Sequence, residues 1–285
     1  MTTIWAGLSI GAVYALVAIG YNVVFTASGI FNFAHAQLMM VGIFVAYTGL
    51  VTFGWPLLVV FLVAAGVVAV VAGLEERLAI APVRGTEGHL VTTVGVASLL
   101  DGVSQLIWGN QPLQVPFFGS SGVWHVAGGL VLPVELLLIV TAIVVTVGLV
   151  VVSRRTMLGL ALLAVSEDRE AALLRGINVR RIALGAFAFS GLLAGALGPL
   201  IGPKTFAVAT LGSALALKGF VALAMGGFGS IPGGLVGGFA VGLIEANAGR
   251  WLGSVYADLS VFAVLLLILL VRPTGLFGKL RERVV

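Results

Sequence analysis

The chain has 285 residues, of which 60% are hydrophobic and 9% charged, with a net charge of +4 and no cysteine. A soluble globular domain carries about 25% charged residues, so this composition excludes an ordinary water-soluble fold. The missing cysteines exclude disulfides and thiolate metal sites, and His35, His89 and His125 have no metal-ligand spacing.

Residues 1–74 contain no Asp, Glu, Lys or Arg. A helix needs about 20 mostly apolar residues to cross the hydrocarbon core, so this stretch holds three spans: Thr3 to Phe25, Ala36 to Thr52 and Pro56 to Leu74. No positive region follows Met1, and the first apolar stretch is full-length, so it reads as a span rather than a cleaved signal. Further spans are expected at Leu90 to Trp108, Leu132 to Val152, Ile182 to Ile201, Phe206 to Gly226, Gly233 to Ala248 and Val255 to Val271. The stretch Phe206 to Gly226 is rich in small residues and contains Lys218, which also suits a segment that enters without crossing. The expected fold is all-α, a polytopic transmembrane bundle of eight to ten spans. The 40 glycines suit close helix–helix approach, with Gly191 to Gly195 and Gly234 to Gly238 as small-residue faces.

Orientation follows from the basic residues. The segments Glu75–Leu90, Ser153–Arg181 and the tail after Val271 hold 12 of the 15. With nine spans all three lie on one face, which places the C-terminus in the cytoplasm. No linker separates domains, so residues 1–285 read as one membrane domain. Two weakly related halves are suggested by paired interruptions, Gly29 to His35 early and Gly226 to Gly234 late. Such paired breaks point to a transport site.

The segment Ser166 to Val179 is polar, lies in the longest loop of the basic face and reads as a short helix. Glu167, Asp168 and Glu170 fall in its first turns, where the helix dipole favours negative charge. Ala171, Leu174 and Ile177 are spaced to form one apolar edge, and Gly176 stands where helices commonly stop. Two readings fit: a helix that docks a soluble partner, or an ordinary solvated loop helix.

Glu170-Ala171-Ala172, three residues and then Gly176 resemble the EAA loop of ABC-importer permeases. The longer hydrophobic and proline pattern of that loop is absent. Asn32-Phe33-Ala34-His35, Gly229-Ser230-Ile231-Pro232-Gly233 and the ending Arg272-Pro273-Thr274-Gly275-Leu276-Phe277-Gly278 resemble the branched-chain amino-acid permeases, the H-type subunit of the leucine/isoleucine/valine system in particular. Two departures stand out: Ala36 replaces a glycine after the histidine, and Asp101 stands where an uncharged amide is usual.

The resemblance implies alternating access in a bacterial inner membrane. It implies a second related permease subunit, two cytoplasmic ATP-binding subunits that hold the ATP and magnesium, and an extracytoplasmic amino-acid-binding protein. Residues 153–181 would be the coupling loop, with Glu167, Asp168, Glu170, Ala171, Ala172, Leu174 and Gly176 facing the ATPase. The substrate pathway would involve Asn32, His35, Gln37, Asp101, Lys218 and Ser230.

The residues themselves leave alternatives. Asn32 and His35 suit either a broken helix at the pathway or a capped turn. Asp101 and Lys218 could neutralise each other, line a path, or, for Lys218, snorkel. Glu245, Asn247 and Arg250 suit a receptor-facing or an interfacial role. Trp108 and Trp124 suit interfacial anchoring. The phosphate-loop pattern GxxxxGK[ST] is absent, since Gly202-Pro203-Lys204-Thr205 lacks the earlier glycine, so no cofactor or metal is expected on this chain, and no nucleic-acid role. A urea or short-amide permease and an ion-coupled secondary transporter remain open. An intramembrane enzyme would need a catalytic cluster that the chain lacks.

Overall fold

In the computed structural model the described residues are 1–83, 85–119, 122–272 and 274–278. Arg84, Pro273, Lys279, Arg281 and Arg283, which enter the orientation and ending motifs, lie outside them. Eleven α-helices are formed among the described residues: α1 (Thr2–Ser28), α2 (His35–Tyr47), α3 (Leu57–Leu74), α4 (Thr86–Trp108), α5 (Pro133–Arg155), α6 (Met157–Glu167), α7 (Arg169–Leu174), α8 (Val179–Thr205), α9 (Leu211–Gly226), α10 (Ile231–Trp251) and α11 (Ser254–Val271). A short antiparallel hairpin, β1 (Trp124–Val126) and β2 (Gly129–Val131), precedes α5. The fold is all-α.

Among the described residues eight helical stretches are long and apolar enough to cross a membrane. Two differ from the expected spans in an instructive way. The third does not stop at Leu74. It continues through a π-helical turn, Glu75–Ile80, in which Glu75 and Glu76 are buried. The expected span from Phe206 to Gly226 shrinks to α9, because Ala207 forms a bridge with Leu113 first. Sixteen residues reach about 24 Å at 1.5 Å per residue, short of a core of about 30 Å.

The chain divides into two compact units built from non-consecutive segments. Unit one holds residues 1–22, 123–150 and 218–285. At one end of it Trp5 Nε1 donates to the Val126 carbonyl, Leu130 N–H donates to Thr2 Oγ1, and Arg250 donates to Thr3 Oγ1. Elsewhere in it the tail pairs with the end of α9: Leu276 N–H donates to the Met225 carbonyl and Phe277 N–H to that of Gly226. The buried amide of Asn22 holds the turn before α10, with Nδ2 donating to the Ser230 carbonyl and Oδ1 accepting from Gly229 N–H.

Unit two holds residues 23–122 and 151–217. Its centre is α2, α3 and α8, whose backbones touch through glycine. A Cβ on Gly195 would run into the Ala64 carbonyl of α3, and one on Gly198 into the Gly42 carbonyl of α2. Gly191 meets Ala72 and the Val68 carbonyl in the same way. Small residues at such faces let dispersion act between whole backbones where lipid removes the hydrophobic drive. Trp108 belongs to this unit's packing: it stacks on Phe44 and donates to Thr48 Oγ1 at 2.8 Å.

Candidate transport site

The break before α2 builds the polar centre of unit two. The chain leaves α1 through Ser28, whose Oγ donates to the Val24 carbonyl and accepts from Ile30 N–H. Asn32 is fully buried, and its Oδ1 accepts from Ala34 N–H at 2.9 Å. That side-chain turn directs the backbone into α2, whose first residue is His35. His35 is buried and its Nδ1 lies 3.0 Å from Ser190 Oγ on α8. Gln37 follows in the first turn, buried, with Gly212 packed against its side chain. Its Oε1 has no hydrogen-bond partner.

Gln37 also neighbours Asp101 on α4. The Asp101 carboxylate accepts from Ser213 Oγ at 2.9 Å through Oδ2, while its buried Oδ1 has no partner. Ser104, one helical turn further along α4, is buried with an unpartnered hydroxyl. Asn32, His35 and Gln37 thus follow one another at the start of α2, and Gln37 stands beside Asp101, all inside unit two. A membrane interior tolerates such groups only where they meet partners, water or cargo.

Lys218 and Ser230 belong elsewhere. Lys218 Nζ lies 2.5 Å from Glu245 Oε1 and 2.9 Å from Asp258 Oδ1, over the Tyr14 ring. Tyr14 donates to Glu245 Oε2 at 2.7 Å. These ion pairs tie α1, α9, α10 and α11 together in unit one and engage Glu245 inside that unit. Lys218 therefore takes Glu245 and Asp258 as its counter-charges, and Asp101 is not neutralised by it. Ser230 is the N-cap of α10, accepting from Gly233 N–H at 3.1 Å.

Sequence reasoning missed Tyr14, Ser104, Ser190, Ser213 and Asp258 in these clusters, and two further polar residues, Asn22 and Glu75. Asn22 is a lone amide in a charge-free span, a signal that could have been read. Glu75 was read as the start of a loop. Yet no proline follows Gly73 until Pro82, so nothing in the sequence stops the helix there.

The expected coupling segment is a helix. Asp168 caps α7 by accepting from Glu170 and Ala171 N–H at 2.9 and 3.0 Å. Gly176 ends it at φ +81°, with Ile177 N–H closing on the Ala172 carbonyl. That left-handed conformation is open to glycine and disfavours a β-branched side chain. The apolar edge keeps Ile177 of the expected three and otherwise differs. Ala172 is the buried contact, packed with Val165 and Val179. Leu174 points away at 89% exposure, and Leu173 at 53%. Glu167, Asp168 and Glu170 are exposed beside them.

Residues 3–271 match the family model described as branched-chain amino acid transport system / permease component. The chain is 32% identical to the high-affinity branched-chain amino acid transport system permease protein LivH of Escherichia coli, with 96% of this chain and 94% of that protein covered. It is 31% identical to BraD of Pseudomonas aeruginosa over the same shares. A more distant likeness, 24% identity over 82% of this chain and 73% of the relative, reaches the ribose import permease protein RbsC of Haemophilus influenzae. Among solved structures, PsaBC from Streptococcus pneumoniae in complex with Fab has a TM-score of 0.52 at 10% identity, covering 96% of this chain and 93% of that one, which supports the fold. The chain is a multi-pass membrane protein and belongs to the branched-chain amino acid transport system permease family.

Proposed function

We propose that this chain is the permease subunit of an ATP-driven importer of branched-chain amino acids in a bacterial inner membrane. The extent of the likeness carries the reading: 96% of the chain aligns with proteins named for that transport system. Residues 1–285 act as one permease domain that pairs with a second, related permease. An extracytoplasmic binding protein delivers the amino acid. Two cytoplasmic ATPase subunits hold the nucleotide and its magnesium, and their closure drives alternating access.

Residues 153–181 form the coupling loop on the cytoplasmic face, and α9 with the stretch before it completes a ninth crossing, which puts the C-terminal tail on the same face. The loop's exposed Leu173 and Leu174, preceded by the exposed Glu167, Asp168 and Glu170, offer a partner apolar and charged contacts on one short segment. Asn32, His35, Gln37 and Asp101 lie on the pathway. They supply a few polar groups within an otherwise apolar surround, which suits a zwitterion with a hydrocarbon side chain.

The test is leucine uptake in a strain without its own branched-chain importer, given this chain with its co-expressed permease, ATPases and binding protein. Uptake that requires intact ATPases supports the reading. Urea uptake without leucine uptake would assign the chain to the short-amide systems. The Lys218 ion pairs are the observation that suits an ion-coupled secondary transporter. Leucine uptake persisting with inactive ATPases would favour that reading.

A further inference from the structure

Glu75 is a carboxyl group inside the third membrane-spanning helix, 5% exposed, at the start of the π-helical turn. Neither of its oxygens completes a hydrogen bond. Asn32 is its polar neighbour, within side-chain hydrogen-bonding reach though without a well-formed bond, and among the described residues no cation pairs with it. A buried carboxylate left this way is costly, because desolvation is not offset by a partner.

The amide orientation of Asn32 is fixed by its own turn. Oδ1 is committed to Ala34 N–H, so Nδ2 is the face turned outward. That Nδ2 also lacks a partner. Two acceptors and one donor, none of them in a well-formed bond, therefore stand side by side toward one end of the third span. A π-helical turn widens the backbone locally and recurs at functional positions. The other acidic groups of unit two near the run are differently placed. Asp101 already accepts from Ser213, and Glu76 has Arg77 and Arg180 as counter-charges.

An α-amino acid carries an ammonium and a carboxylate on one carbon. Its ammonium needs acceptors, and its carboxylate needs donors. We infer that Glu75 and Asn32 form the head-group site of this chain, Glu75 accepting from the ammonium and Asn32 Nδ2 donating to the carboxylate. The inference rests on the amino-acid reading above and adds to it a residue and a charge requirement. The site would reject cargo without a cationic end, because Glu75 would then be left unpaired.

The experiment measures leucine transported per ATP hydrolysed, in proteoliposomes holding the assembled transporter with loaded binding protein. Glu75→Gln keeps the shape and loses the charge. Glu75→Asp keeps the charge. The ratio is expected to fall about tenfold for Glu75→Gln and to stay within about twofold of wild type for Glu75→Asp. A wild-type ratio for Glu75→Gln would overturn the inference, since a neutral packing role is met by glutamine. An equal fall for both variants would overturn it too, because the position would then read shape rather than charge. The wild-type arm judges the parent reading separately: wild-type transporter that moves no leucine refutes the amino-acid reading, and the head-group site with it.

Discussion

Asp101 on α4 and Ser213 on α9 are 112 residues apart in sequence and joined by a 2.9 Å hydrogen bond. The hydroxyl satisfies one oxygen and leaves the other open beside Gln37. A group held in position but half-satisfied is poised to meet a passing polar cargo. Asp101→Asn keeps the shape and the bond to Ser213 while removing the charge. The variant should insert and assemble normally, with leucine uptake lowered about tenfold, the loss of one charge-assisted hydrogen bond. Unchanged kinetics for leucine, isoleucine and valine would remove Asp101 from the pathway.

The Lys218 ion pairs predict a stability effect rather than a specificity effect. Lys218→Met leaves Glu245 with only Tyr14 as a donor and should cost about 1–3 kcal/mol. Combining it with Glu245→Gln should recover part of that loss, since no charge is then stranded. Thermal unfolding in mild detergent reads both, and the double variant closes a cycle that isolates the pair. Strictly additive losses would show that the two side chains are energetically independent.

For the coupling helix the structure separates two kinds of substitution. Ala172 is packed inside the chain, so Ala172→Arg should lower thermal stability by about 1–3 kcal/mol through overpacking, before any partner is involved. Leu174 is 89% exposed and has little packing in its own chain to lose. Leu174→Asp should leave thermal stability unchanged while pull-down of the ATPase subunits and leucine uptake both fall. Wild-type pull-down and uptake for Leu174→Asp would dismiss α7 as the docking helix.

Orientation is open to a direct chemical test because the chain has no cysteine. Ser166→Cys in the coupling loop and Phe277→Cys in the tail should both resist an impermeant thiol reagent in intact cells. Phe277 is the better tail position. It is 51% exposed, whereas a Cβ on Gly278 would strike the Thr274 carbonyl. Labelling of either cysteine from outside would overturn the cytoplasmic assignment.

The spans were legible because hydropathy acts over twenty residues at a time, and no local detail can mask it. Their ends were less so. The helix through Glu75 outlasts its apolar stretch, since a buried charge ends a hydropathy window without ending a helix. The break before α2 was legible from Gly29 and Asn32, whose chemistry is local. Partners were not. Lys218 and Asp101 could have been a pair, the lining of a path or, for Lys218, a snorkelling end, and the choice of Glu245 and Asp258 as counter-charges is made by tertiary packing. The same holds for α7. Periodicity gave Ala171, Leu174 and Ile177 as one edge; Ile177 does pack, but the helix is only six residues long, and the packing of Ala172 against Val165 and Val179 leaves Leu174 outward.

Backbones that meet through Gly42, Gly191, Gly195 and Gly198 leave α2, α3 and α8 no sheath of side chains to slip over. Sliding α8 by one turn, about 5.4 Å, would bring Phe187 toward the place of Gly191, where a single Cβ already has no room. Shear between these helices is therefore blocked, while tilting them together is not. Through a transport cycle they would behave as one plank. The bending that a cycle demands must then fall on joints such as Gly29 and Gly176, where the chain turns with open space around it.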